Sequence, residues 1–221
     1  MENKIKLPAF RGAIFDLDGT ILDSMGVWRK IDEDFLGRRG FSVPPDYVEK
    51  IKALDYQSAA EYTIARFSLK DRPEDLIAEW KQMAEEAYAH HIFLKPYVKE
   101  YMMQLKQAGI KIALATVSDD ALSIPALKNN GVFEYFDAFV TTQEVGKGKD
   151  FPDVYIKAAE KLGLKTEECV VFEDVLKCVI GAKKGGFCTV GVYDLASAHL
   201  KDEIAETADF YITDFSMLLT P

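Results

Sequence analysis

With 221 residues, 48% of them hydrophobic, the chain can bury a substantial core, as one domain or one domain with an insert, and its composition argues against disorder. The formal net charge of −9 disfavours a broad nucleic-acid-binding face, which needs clustered Lys and Arg, but leaves room for a small anionic substrate where a few cations converge. No apolar run is long enough to span a bilayer, and the segment from Met1 to Pro8 has no secretory core, so the expected location is cytoplasmic.

Arg11 to Leu17 reads as a first strand, an apolar run with little alternation of the kind buried on both faces of a parallel sheet. From Ser24 to about Leu94 the pattern turns helical. Val27, Trp28, Ile31 and Phe35 share one face, and Gly37, Gly40 and Pro44-Pro45 end that segment. Helices are predicted over Tyr47 to Leu54 and Ser58 to Phe67. Asp71-Arg72-Pro73-Glu74 resembles a capping box opening a fourth helix, carried by Leu76, Trp80, Met83, Ala84 and Ala87. No strand candidate interrupts this region, which therefore reads as an all-helical insert.

Beyond Pro96, Val98, Met102, Leu105 and Ala108 form a helical stripe ended by Gly109, and Ile110 to Thr116 follows as a strand. Alternation then persists. Helices are expected over Asp119 to Asn129, weakened by Pro125, and over Asp153 to Leu162 and Val175 to Lys184. Strands are expected at Phe139-Val140, Cys169 to Phe172, Phe187 to Val192 and, at an edge, Asp209 to Ile212.

Strands alternating with helices imply parallel pairing, with ligands outside the carboxyl ends of the strands. The loops after Leu17, Val117, Val140 and Phe172 then meet at one edge, each carrying a polar or charged candidate. The sharpest is Phe15-Asp16-Leu17-Asp18-Gly19-Thr20, two carboxylates two residues apart at a strand end and closed by a glycine. Taken alone, such a string also occurs in turns and calcium loops. Gly19 comes too early for the sixth position of a calcium loop, and Val27 stands where the twelfth needs a bidentate Glu. Cys169, Cys178 and Cys188 are odd in number without Cys-x-x-Cys spacing, so they read as reduced thiols; His90 and His91 read as surface or hinge residues.

Asp16-Leu17-Asp18-Gly19-Thr20 resembles the first motif of the haloacid dehalogenase superfamily, and three segments resemble the later motifs in order. These are Thr116 at the end of Ile112-Ala113-Leu114-Ala115-Thr116, Lys149 three residues before Pro152-Asp153, and Glu173-Asp174 after Val170-Val171-Phe172. The resemblance covers nearly the whole chain. It implies a Mg2+-dependent phosphotransferase in which Asp16 attacks phosphorus to give an aspartyl-phosphate and Asp18 acts as general acid and base. It also implies metal binding by Asp16, Asp174, the backbone carbonyl of Asp18 and Glu173, the last through water. Thr116 with the backbone N–H groups of Val117 and Ser118 would bind phosphate, and Lys149 would neutralise nucleophile and phosphoryl group. Lys147 is a rival for the lysine role, and Asp150 follows Lys149 where the family often has proline.

The implied fold is a Rossmann-like α/β core, residues 1–23 and 95–221, with an inserted helical cap domain, residues 24–94. Such a cap resembles the phosphatase and beta-phosphoglucomutase branch, with hinges near Leu22 to Met25 and Phe93 to Tyr97. Asp18 points to phosphate esters, since dehalogenase members usually lack this residue. Trp28 stands where the mutases carry a histidine, and Lys52-Ala53-Leu54-Asp55-Tyr56 lacks their arginine, which favours a phosphatase over the mutase. Trp28 is a core residue or a substrate contact, and Arg29, Lys52, Tyr56 and Gln57 are specificity candidates. A non-catalytic binding protein that keeps the fold is the third reading. The expected partner is a small phosphorylated metabolite, with no nucleic acid and no membrane, bound by a monomer or weak homo-oligomer.

Overall fold

In the structure, a computed structural model that describes residues 4–51 and 54–220, the apolar run after Arg11 becomes the middle of a six-stranded parallel sheet. The chain begins β1 (Gly12–Phe15), α1 (Val27–Arg38), α2 (Pro45–Ile51), α3 (Tyr56–Phe67), α4 (Pro73–His90), α5 (Val98–Gln107), β2 (Lys111–Thr116) and α6 (Asp120–Asn129). It continues β3 (Ala138–Thr141), α7 (Thr142–Val145), α8 (Asp153–Leu162), β4 (Cys169–Glu173), α9 (Leu176–Lys184), β5 (Cys188–Val192), α10 (Lys201–Thr207) and β6 (Phe210–Ile212). Two units result, one from the chain up to Met25 together with the chain from Ile92 onward, the other from Gly26 to His91. No helix among the described residues is long and apolar enough to cross a membrane.

The first unit is a Rossmann-like α/β fold. Its strand order is β3-β2-β1-β4-β5-β6 and every pairing is parallel. Because successive side chains of a strand point to opposite faces, β1 feeds two cores. Ile14 packs with Ala113, Val171 and the Val154, Tyr155, Ala158 and Leu162 stripe of α8. Phe15 faces the other way and stacks on Phe172, its register partner in β4, with ring centroids 4.5 Å apart; Tyr101 of α5 and Phe215 close the cluster. Each such aromatic pair is worth about 0.5–1.5 kcal/mol beyond its buried area. Burial on both faces is why the run does not alternate.

β1 ends at Phe15 and not at Leu17. Asp16 still donates its N–H to the Phe172 carbonyl at 3.1 Å, but Ile21 and Leu22 both return their N–H groups to the Leu17 carbonyl, which turns the chain. The strand order also diverges here, β2 lying on one side of β1 and β4 on the other. The loops after β1, β2 and β4 therefore open a crevice at the carboxyl edge of the sheet.

The second unit is all helical. Phe35 of α1 meets Trp80 of α4 edge-on at 5.5 Å, and Tyr47 of α2 meets Phe67 of α3 at 5.4 Å and bonds its hydroxyl to that of Thr63 at 2.9 Å. Asp55 caps α3 by accepting from the Ser58 N–H. The expected capping box at α4 is not formed. Arg72 is the N-cap residue, without a side-chain cap bond, because Asp71 is drawn instead to Arg39, whose guanidinium also pairs with Glu79 at 2.7 Å and lies over the Phe35 ring. Helix α2 starts at Pro45, and Lys52 and Ala53, expected at its end, lie outside the described residues. Trp28 departs from the buried face of Val27, Ile31 and Phe35: it is 40% exposed.

Candidate active site

Asp16 is the first residue past β1, and the turn that follows is built around Gly19. Its φ of +83° suits only glycine without strain, and a Cβ there would lie 2.5 Å from Asp174 Oδ2. Gly19 donates its N–H to the Leu22 carbonyl at 3.0 Å, and the next residue, Thr20, donates its hydroxyl to Asp174 Oδ1 at 3.1 Å. The turn after β1 is thus fitted against the end of β4.

Asp16, Glu173 and Asp174 each bring a carboxylate oxygen within 4.8 Å of the others, and all three are buried. Lys149, from the loop between α7 and α8, reaches into this group and pairs with both Asp16 and Glu173. Gly181 of α9 makes the approach possible, since a Cβ there would collide with the Lys149 carbonyl oxygen. Tyr155 of α8 adds a hydroxyl donated to Glu173 Oε1 at 2.7 Å.

Three carboxylates face one ammonium in a site out of water. Burial pushes Glu173 up to about 7 and Asp174 up to about 8, the neighbouring carboxylates adding to the effect. Burial also holds Asp16 above the usual carboxylate range, although Lys149 opposes it. For Lys149 burial works in the other direction, but Asp16 and Glu173 outweigh it and keep the ammonium charged. Asp174 Oδ2 has no hydrogen-bond partner among the described residues. A buried carboxylate oxygen without a donor is costly, and hard oxygens short of positive charge are what a divalent cation of the Mg2+ type takes as ligands. The residues present therefore fit such an ion.

Asp18 is held differently. It is half-buried, its Oδ1 accepts from Ser24 Oγ and its Oδ2 from Ser118 Oγ, each at 2.6 Å. Thr116, buried at the end of β2, accepts the Ser118 N–H at 3.0 Å, while Val117 beside it is exposed. Asp16, Asp18, Thr116, Lys149, Glu173 and Asp174 thus come from one carboxyl edge of one sheet. Lys147 is turned away and pairs with Asp153 at 2.7 Å. Trp28 lies in the helical unit, edge-on to Tyr56 at 6.2 Å.

Ser24, Thr20 and Tyr155 were not expected from the sequence. Thr20 stands inside the motif itself and Ser24 is a small polar residue just beyond an apolar Ile21-Leu22 step, so both had a signal in position. Tyr155 had none, because an aromatic residue in a helical stripe reads as core.

Comparison with known proteins agrees with this geometry. The haloacid dehalogenase-like hydrolase family matches residues 13–192. The chain is 30% identical, over 80% of each sequence, to a candidate phosphatase, YhcW, of Bacillus subtilis. It is 26% identical to the phosphorylated carbohydrates phosphatase of Thermotoga maritima, over 78% of this chain and 80% of that protein. The crystal structure of a candidate beta-phosphoglucomutase from Thermotoga maritima superposes with a TM-score of 0.83 at 24% identity, over 94% and 96% of the two chains. The chain belongs to the haloacid dehalogenase-like hydrolase family.

Proposed function

We propose that this hydrolase is a Mg2+-dependent phosphatase of a small phosphomonoester, a sugar phosphate or similar metabolite, working through an aspartyl-phosphate. The observation that carries the reading is the pairing of two unlike carboxylates: Asp16 in the cation-poor cluster with Lys149, and Asp18 two residues on, outside it and held by two hydroxyls. The match to a carbohydrate phosphatase supports the substrate class.

Phosphate esters resist attack because their oxygens are anionic, so a catalyst must supply a nucleophile, compensating positive charge and a proton for the leaving group. A Mg2+ ion held by Asp16, Asp174 and the Asp18 carbonyl, and by Glu173 through water, would supply charge that offsets the carboxylates and the phosphoryl oxygens. Asp16 forms the bond to phosphorus as the ester P–O bond breaks, and Asp18 gives its proton to the departing oxygen. Water then attacks the phosphoryl group, Asp18 takes up the proton of that water, and inorganic phosphate leaves with Asp16 regenerated. Lys149 keeps Asp16 oriented and partly neutralised. Thr116 and the Val117 amide bind the phosphoryl oxygens, while the Ser118 N–H orients the Thr116 hydroxyl that accepts it.

The test is phosphate release from a panel of phosphomonoesters with Mg2+, repeated with Asp16→Ala. Turnover of at least one sugar phosphate by the parent and none by the variant is expected. No turnover on any ester would favour a binding protein, and glucose 6-phosphate formed from beta-glucose 1-phosphate faster than phosphate is released would replace the phosphatase by a mutase.

A further inference from the structure

We infer that Lys95 is a positioning residue for this hydrolase, a buried clip that sets the backbone of the turn carrying Asp18. Lys95 lies between α4 and α5, on the segment that returns the chain to the first unit, and belongs to none of the four motifs. Its Nζ meets three acceptors: Asp194 Oδ2 at 2.7 Å, the Tyr193 carbonyl at 2.7 Å and the Gly19 carbonyl. An ammonium has three N–H bonds, so its position is fully determined. The Lys95 and Asp194 side chains are 13% and 4% exposed, so neither charge is satisfied by bulk water.

Both ends of the clip are anchored. Asp194 Oδ1 accepts from the Ala196 N–H at 2.8 Å and its carbonyl from Ser197 Oγ at 3.3 Å, which fixes the loop after β5. Lys95 donates its own backbone N–H to the Ile21 carbonyl at 2.9 Å, and Leu94 bridges to Leu22. The turn after β1 is thereby gripped at Gly19 through the side chain and at Ile21 through the backbone.

Gly19 is the residue between Asp18 and Thr20, and its Cα sits too close to Asp174 Oδ2 to carry a side chain. A shift of its carbonyl therefore moves Asp18 and alters the space around Asp174 together. Lys95 adds little field at the crevice, because Asp194 matches its charge at 2.7 Å. A buried ion pair of this kind is weak support for stability, since apolar replacement of both partners is often tolerated. What it provides here is a fixed Gly19 carbonyl.

The kinetic arm of the test rests on the phosphatase reading; the exchange arm does not. The double variant Lys95→Met with Asp194→Leu removes both charges and leaves neither orphaned. In hydrogen exchange of the full chain, the peptide over residues 16–25 is expected to exchange at least about tenfold faster, while peptides over β2 and β4 stay as in the parent. On an ester that the parent hydrolyses, kcat is expected to fall roughly 10²-fold, the size associated with about 1 Å of misplacement, with KM within about threefold. Asp194→Asn, which leaves Lys95 on Gly19, should stay within about threefold of the parent in kcat. Lys95→Gln, too short to hold Gly19 and Asp194 together, should show the same two changes and serves if the double variant does not fold. Unchanged exchange over residues 16–25, parental kcat in either folded Lys95 variant, or an equal loss in Asp194→Asn would overturn the inference. If the parent hydrolyses no phosphomonoester, the function proposed above falls, and the exchange result alone decides the clip.

Discussion

Raising the pH of the metal-free protein from about 5 to about 8 should weaken its fold, and the cause lies in Glu173 and Asp174. Burial lifts Glu173 from 4.5 to about 7 and Asp174 from 3.8 to about 8, so the folded chain keeps protons that the unfolded chain has already released. A raised carboxyl pKa favours the folded state at low pH, and that advantage is lost as pH climbs towards the folded value. Each retained proton tilts stability by about −1.4 kcal/mol per pH unit, so the Glu173 displacement alone is worth about 3 kcal/mol. Lys149 stays charged throughout this window and does not change the slope. Both tryptophans, Trp28 and Trp80, belong to the helical unit, so unfolding is best followed by far-UV circular dichroism, in EDTA and in excess Mg2+. In Mg2+ the carboxylates are ionised by their ligand and the slope should flatten, with a gain near 2.7 kcal/mol when the ion is at about 100 times its Kd. Asp174→Asn has no proton to lose and should be more stable than the parent at pH 8 in EDTA. Metal-free stability that is flat or rises with pH, or an Asp174→Asn protein no better than the parent at pH 8, would refute this account of the cluster.

Asp18→Asn should keep the fold and lose roughly 10²–10⁴ in kcat, the usual size of a general acid-base contribution, as read by steady-state phosphate release. Lys149→Met leaves Asp16 and Glu173 buried without their cation and should cost about 3–5 kcal/mol by chemical denaturation, with a larger loss at pH 8 than at pH 6. Gly19→Ala combines a φ of +83° with a Cβ 2.5 Å from Asp174 Oδ2, so a loss of about 1–2 kcal/mol from the backbone alone should come with weaker Mg2+ binding by calorimetry.

The elements of the α/β unit were legible because their signals are local and agree with one another. The run from Gly12 to Phe15 is apolar throughout since both faces are covered, and α8 spans Asp153–Leu162 as its stripe and terminal glycine imply. Where the sequence misled, long-range partners decided. Asp71 has the form of a cap, yet Arg39, distant in sequence, takes its carboxylate. Trp28 has helical spacing with Val27 and Ile31, yet one step of rotation around the helix leaves it half out of water. The same limit applies to the site. Asp16, Lys149 and Asp174 could be named because they stand in motifs, whereas Tyr155 and Lys95 act through contacts whose partners are distant in the chain. Such residues become visible only when the fold brings the partners together.

Asp16 and Asp18 differ in environment more than their spacing suggests, and the difference follows from the turn between them. In a continuing strand, residues two apart would point to the same side and share one environment. The chain instead turns at Leu17, whose carbonyl receives two returning N–H groups, and Gly19 lets the backbone run against Asp174. Asp16 is left in the cluster with Lys149, where another carboxylate would deepen the deficit of positive charge. Asp18 is carried to the hydroxyls of Ser24 and Ser118, neutral donors that orient its carboxyl group. Two titratable groups set in unlike surroundings by one short turn are what a nucleophile and a proton shuttle require. The residues that hold that turn, Gly19 and Lys95 among them, are therefore as much a condition of the chemistry as the carboxylates they place.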